Sequence, residues 1–159
     1  DDGLRFRELL AWIGAETDRY ATWFSTREPA VWSIPVGDGK TLHDLLHHIY
    51  AVDLRLAQRL QGQPIASDAE IAVADAAGLF ALAGRGQALL AAADATGDYD
   101  AILTWTTLLG FGIRATRRKI LGQALTHHLR HLAQVAMLLR LHGHPTDWNH
   151  DLLVSEAMG

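Results

Sequence analysis

Nine histidines and no cysteine decide which chemistry this chain can carry, because any metal it holds must rest on imidazole and carboxylate. Three of the nine, His127, His128 and His131, fall within five residues of one another. They sit inside the run 117–141, where Ile120, Ala124, Leu125, Val135, Leu138 and Leu139 recur at helical spacing without a two-residue alternation. On a helix, residues four apart lie one above the other, so His127 and His131 share a face and can reach one ion. His128 with His131 is the other helical pair, and spacing alone does not choose between them.

Two neighbours cannot close a zinc site, which needs at least three protein ligands. The third donor is sought in Leu45-Leu46-His47-His48-Ile49. Turning that segment at 100° per residue gathers Leu42, Leu45, Leu46, Ile49, Leu56 and Leu60 into one arc, with His48 at its edge. His43 and His47 point nearly opposite and read as exposed. Three imidazoles, His48, His127 and His131, would leave one coordination position open, as catalytic zinc sites do, and would leave the ion's charge uncancelled. Such a centre lowers the pKa of bound water to about 7 and deprotonates a coordinated thiol. The competing reading is polar packing at a helix edge, with no metal. Asp53 projects close to the apolar arc, which suggests a buried hydrogen-bonding role near the ligands or a gap reached by water. Gln134 shares the face of His127 and His131, to orient a ligand or merely to be solvated.

Composition narrows the alternatives. A chain of 159 residues, 49% apolar and 20% charged, suits a single domain over 1–159 with a real core. The net charge of −4 gives no footprint for nucleic acid. The one basic cluster, Arg114, Arg117, Arg118 and Lys119, reads as a solvated helix start, with phosphate or carboxylate capture as lesser readings. No apolar run approaches the 18 or so residues of a membrane span, and no signal peptide is visible, so a soluble cytoplasmic protein is expected. The absence of an initiator Met implies that something ahead of Asp1 has been removed.

Four helices must position these residues. Leu4 to Phe24 is amphipathic, with Glu16 on its polar side. Pro29, Pro35, Gly37 and Gly39 exclude a regular element from Ser25 to Lys40, with Trp32 and Ile34 tucked beneath that loop. Gly39-Lys40-Thr41 lacks the upstream glycine of a phosphate-binding loop. Thr41 instead caps a second helix, with Asp44 completing a capping box, and Gly62 and Pro64 stop it near Gln61. Ser67 and Glu70 form another capping box ahead of a third helix within 68–95, whose start can fall as late as Asp75, with Gly97 ending it. Tyr99 to Arg114, rich in β-branched and aromatic residues and turned by Gly110-Phe111-Gly112, reads as a short hairpin or extended crossover. The last helix runs from about Thr116 to Gly143, and Trp148, Leu152, Leu153 and Val154 in the tail are expected to dock loosely. These four helices, with the short hairpin or extended segment before the last, make the fold class all-α.

Trp32-Ser33-Ile34-Pro35, Thr41-Leu42 through His48-Ile49, His127-x-x-x-His131-Leu-Ala-Gln134 and Leu141-His142-Gly143-His144-Pro145 occur in the order and spacing of a known family. With these segments the chain resembles the DinB/YfiT superfamily of damage-inducible-like proteins. The resemblance implies a four-helix bundle with a long crossover between helices two and three, and a divalent metal, zinc or nickel, held by His48, His127 and His131, so it favours His127 over His128. It also implies a homodimer and, from characterised members, a thiol-dependent transferase or isomerase in which the metal activates a low-molecular-weight thiol. A small-molecule substrate is expected, with neither nucleic acid nor membrane as partner. The leading expectation is therefore a metal-dependent S-transferase or related hydrolase. A non-catalytic stress-response protein binding a metal or small ligand is the alternative, and a purely structural bundle a third.

Overall fold

The computed structural model describes residues 4–157; Asp1–Gly3 and the last two residues of the single domain expected over 1–159 lie outside them. Helix α1 spans Phe6–Ser25, α2 Leu42–Leu60, α3 Ala76–Ala95 and α4 Arg117–Leu141. Two antiparallel ribbons accompany them: β1 (Pro35–Gly37) with β2 (Lys40–Thr41), and β3 (Ile102–Thr106) with β4 (Gly112–Thr116). The chain is thus mostly helical, as its periodicity predicts, with two small sheets that an all-α description omits.

Local chemistry sets most of these boundaries. The Thr41 hydroxyl accepts the Asp44 N–H at 3.4 Å while the Asp44 carboxylate accepts the Thr41 N–H at 2.8 Å, the reciprocal capping box expected for α2. Thr116 caps α4 by accepting the Lys119 N–H at 3.2 Å. The segment between α1 and α2 is more regular than predicted. Pro29 opens a 3₁₀ turn over Pro29–Ser33, and the Asp38-Gly39 turn, with φ of 50° and 72°, folds β1 back on β2. Ile34 is buried and Trp32 stacks on Phe24 with centroids 4.2 Å apart, so both join the main core.

The crossover departs from expectation in another way. Ser67 and Glu70 do form the predicted reciprocal bonds, Glu70 accepting the Ser67 N–H at 2.7 Å, but they close only a turn. No apolar helical period follows before Asp75, whose carboxylate accepts the Gly78 N–H at 2.7 Å and starts α3. At its far end Gly97, at φ 69°, supplies the left-handed residue just past the helix. α3 is apolar nearly all round, and by length and composition alone it is long and apolar enough to cross a membrane, contrary to the expectation that no run approaches that length. Here Leu79, Leu82, Ala83, Leu90 and Ala93 are buried within the fold.

Gly86 lets α3 approach α2. A Cβ there would lie 3.1 Å from the Leu54 backbone N and 3.4 Å from Asp53 Cβ, whereas one at Gly84 would meet nothing within 4 Å. Overpacking against backbone costs about 1–3 kcal/mol, against a helix-propensity gain of up to about 1 kcal/mol for Gly→Ala. Gly86→Ala is therefore expected to destabilise by about 1 kcal/mol and Gly84→Ala to stabilise by about 0.5–1 kcal/mol, opposite signs two residues apart in urea denaturation.

The residues before α4 form the hairpin reading of the two offered, with Ile102 opposite Thr116 and Trp105 opposite Ile113. Leu103, Trp105 and Ile113 pack on the second core cluster, which holds Leu60, Leu90 and Ile120. The basic cluster divides. Arg114, Arg118 and Lys119 are exposed, but the Arg117 guanidinium donates to the carbonyls of Leu60 and Ala93 and to the Thr96 hydroxyl. Arg117 thus satisfies the open carbonyl ends of α2 and α3 and is no solvated charge. In the tail, Leu153 (97% exposed) and Val154 do not dock; Trp148 and His150 do, drawn by hydrogen bonds to Glu16.

Candidate metal centre

α2 and α4 run antiparallel along a seam crossed at three levels. Arg117 meets Leu60 at one end, Asp53 meets His128 in the middle, and His48 meets His127 and His131 beyond. At that last level His48 Nε2 lies 3.1 Å from His127 Nε2, and the ring centroids are 5.0 Å (48–127), 5.2 Å (48–131) and 4.5 Å (127–131) apart. One donor nitrogen from each of the three lies within 4.8 Å of the others. Zn–N bonds of 2.0–2.1 Å in a tetrahedron place ligand nitrogens about 3.3 Å apart, so the three imidazoles need only close slightly around a common point.

His131 Nδ1 and Gln134 Oε1 are 2.6 Å apart. Since the amide oxygen can only accept, Nδ1 carries the proton and the Nε2 lone pair is left for an ion. Gln134 therefore orients His131, the first of its two sequence readings. His127 is buried, and its Nδ1 makes no hydrogen bond among the described residues. Burial, then His131 and His48 as neighbouring potential cations, push the His127 pKa down to about 4; burial and His131 lower that of His48 as well. Both imidazoles are neutral near pH 7, the state a metal ligand requires.

His48 is more exposed than the helical projection implies, because the site lies at the rim of the α2–α4 seam. His47 and His43, expected in solvent, are half-buried. His47 Nε2 donates to the Ile71 carbonyl at 2.7 Å, tying α2 to the crossover, and His43 meets Trp32 edge-on at 5.9 Å. His128, the other candidate for the helical pair, turns away from the triad. It is 1% exposed, and its Nδ1 lies 2.6 Å from Asp53 Oδ2. Asp53 is itself 2% exposed and takes the buried hydrogen-bonding role, the first of its two readings. Burial raises its pKa while the hydrogen bond from His128 opposes that rise.

Two polar contacts went unread in the sequence. Glu16 is buried, not on the polar side of α1, and it anchors the tail through Trp148 and His150. Its position between Ile13 and Tyr20, three and four residues away, was the available signal. The Asp53–His128 lock had only half a signal, an acid in an apolar arc.

The lowered pKa of His127 has a definite pH consequence in the metal-free protein. Between the ordinary value of 6.5 and about 4, the unfolded chain binds a proton at this residue that the folded chain does not. Stability then rises with pH across that window, and is lost as pH falls through it. Metal-free protein is expected to unfold at progressively lower urea concentration from pH 6.5 to pH 4, and His127→Phe to flatten that slope.

A comparison with curated proteins finds no match. The family model described as the DinB superfamily matches residues 10–135, a span that contains all three histidines of the triad. With that model covering most of its length and its helices carrying the triad, the chain belongs to the DinB superfamily.

Proposed function

We propose that this protein is a metal-dependent enzyme of the DinB class, built as a four-helix bundle, that uses His48, His127 and His131 to hold one zinc or nickel ion. The observation that carries the reading is the convergence of three imidazole donors within 4.8 Å, one of them on an exposed residue. When bound, the ion supplies Lewis acidity and a lowered pKa for a coordinated thiol or water. The chain's own residues supply the rest. Gln134 fixes the tautomer of His131, burial keeps His127 neutral, and the exposed position of His48 leaves a side of the site open to a small molecule. Three neutral ligands and no carboxylate preserve the cation's charge for an anionic sulfur or a carbonyl oxygen. The reaction this suits is S-transfer from a low-molecular-weight thiol to an electrophile, or a related hydrolysis or isomerisation, in a cytoplasmic homodimer.

One observation favours a second reading, a non-catalytic binding protein. Two hollows, of about 320 Å³ and 190 Å³, are lined by residues that include none of the triad. Assaying zinc- and nickel-loaded protein with small thiols and electrophilic acceptors separates the two. Metal-dependent turnover lost in His131→Ala supports the enzyme, and stoichiometric metal without turnover across the panel supports the binder.

A further inference from the structure

The smaller hollow lies between α1 and α4, on a different face of α4 from the triad. The Trp12 ring, Leu132, Ala133 and Ala136 are among its apolar walls; Glu16 and His150 are polar groups of its lining, and Trp12 also carries a buried indole N–H with no partner among the described residues. The small side chains at 133 and 136 leave the space open. Glu16 is 3% exposed, a carboxylate taken almost wholly out of water, which is costly unless the charge is used. Its two oxygens are unequally engaged. Oε2 accepts from Trp148 Nε1 at 3.1 Å and from His150 Nδ1 at 2.7 Å, whereas among the described residues Oε1 meets only the partly exposed Arg19, at a long 3.4 Å. His150 is held from its other side by Thr146, whose Oγ1 lies 2.7 Å from His150 Nε2, so the polar end of the hollow is rigidly built.

We infer that this hollow is a binding site for a small hydrophobic amine, distinct from the metal centre. An ammonium group would donate to the under-used Oε1 of Glu16, and an aryl or short alkyl body would fill the apolar walls beside the Trp12 ring. The size fits: about 190 Å³ falls below the 300–1,000 Å³ of drug-sized pockets and suits one ring with a short amine arm. A carboxylic acid would meet Glu16 as a like charge, and a neutral alcohol would forgo the charge-assisted bond. Glu16 lies within the residues matched by the family model, and Thr146, Trp148 and His150 lie beyond them. The inference does not depend on the metal reading.

Phenethylamine and 2-phenylethanol, nearly the same shape and differing in charge, provide the test on the full chain by calorimetry and by following the indole N–H signals of Trp12 and Trp148 in NMR. The expected result is saturable binding of the amine about tenfold tighter than of the alcohol, with both indole signals shifting. Glu16→Gln keeps one carbonyl oxygen to accept from both Trp148 and His150 and should abolish the preference for the amine without weakening the alcohol. Ala133→Leu, a change at an exposed position of α4, should fill the space and remove binding of both. Equal affinities in the parent, no saturable binding of either compound, or amine binding that survives Ala133→Leu would each overturn the inference. Because none of these readouts needs an ion, they stand whether or not the triad binds metal.

Discussion

Replacing His127 by Ala is expected to abolish tight binding of zinc or nickel and to leave the metal-free fold largely intact. Removing an outer hydrogen-bond partner of a ligand typically costs 10–100-fold in metal affinity, and removing a ligand itself should exceed that. Gln134→Ala, which frees the His131 ring to adopt the wrong tautomer, should fall within about 10–100-fold. Thermal denaturation reads both. An ion present at a hundred times its dissociation constant adds about 2.7 kcal/mol to the folded state, so the parent's midpoint should rise with added metal. That of His127→Ala should not move. A variant that keeps the parent's metal-dependent rise would remove His127 from the ligand set.

The second large effect belongs to Asp53. In Asp53→Ala, His128 Nδ1 would be left 1% exposed with no acceptor, and His128 Nε2 already has no partner among the described residues. Breaking a buried, hydrogen-bonded charge-capable pair from one side costs about 3–5 kcal/mol, a large part of a domain's stability. Replacing both partners, Asp53→Leu with His128→Leu, removes the stranded group and should recover most of the loss in urea denaturation. The exposed Arg118–Asp100 pair is also close, at 3.0 Å, yet Arg118→Ala should cost no more than about 1 kcal/mol. If Asp53→Ala were equally mild, the pair would not be what holds the middle of the α2–α4 seam.

What the sequence made legible was what lies close together along the chain. The ends of α2 follow from Thr41, Asp44 and Gly62, and the hairpin from its β-branched run and glycines, because caps and turns are decided within a few residues. The His127–His131 pair is legible for the same reason, one helical turn being a local quantity. The rest depended on partners far away in sequence. Asp53 finds His128 across 75 residues and Glu16 finds His150 across 134. Arg117 looked like a solvated helix start because the carbonyls it satisfies end other helices. Ser67 and Glu70 carry a true capping signal, yet a cap does not make a helix without an apolar face to bury after it. His48 lies on the predicted helix but further out than its helical projection implies, since a projection of one helix cannot show where its neighbour's edge lies.

Crystals of the protein soaked in zinc and measured at the zinc absorption edge address the metal centre directly. The account predicts one anomalous peak per chain, bonded at about 2.0–2.1 Å to the Nε2 atoms of His48, His127 and His131, with a remaining position taken by solvent. A peak between His43 and His47, or no ordered peak in protein that binds zinc in solution, would contradict it.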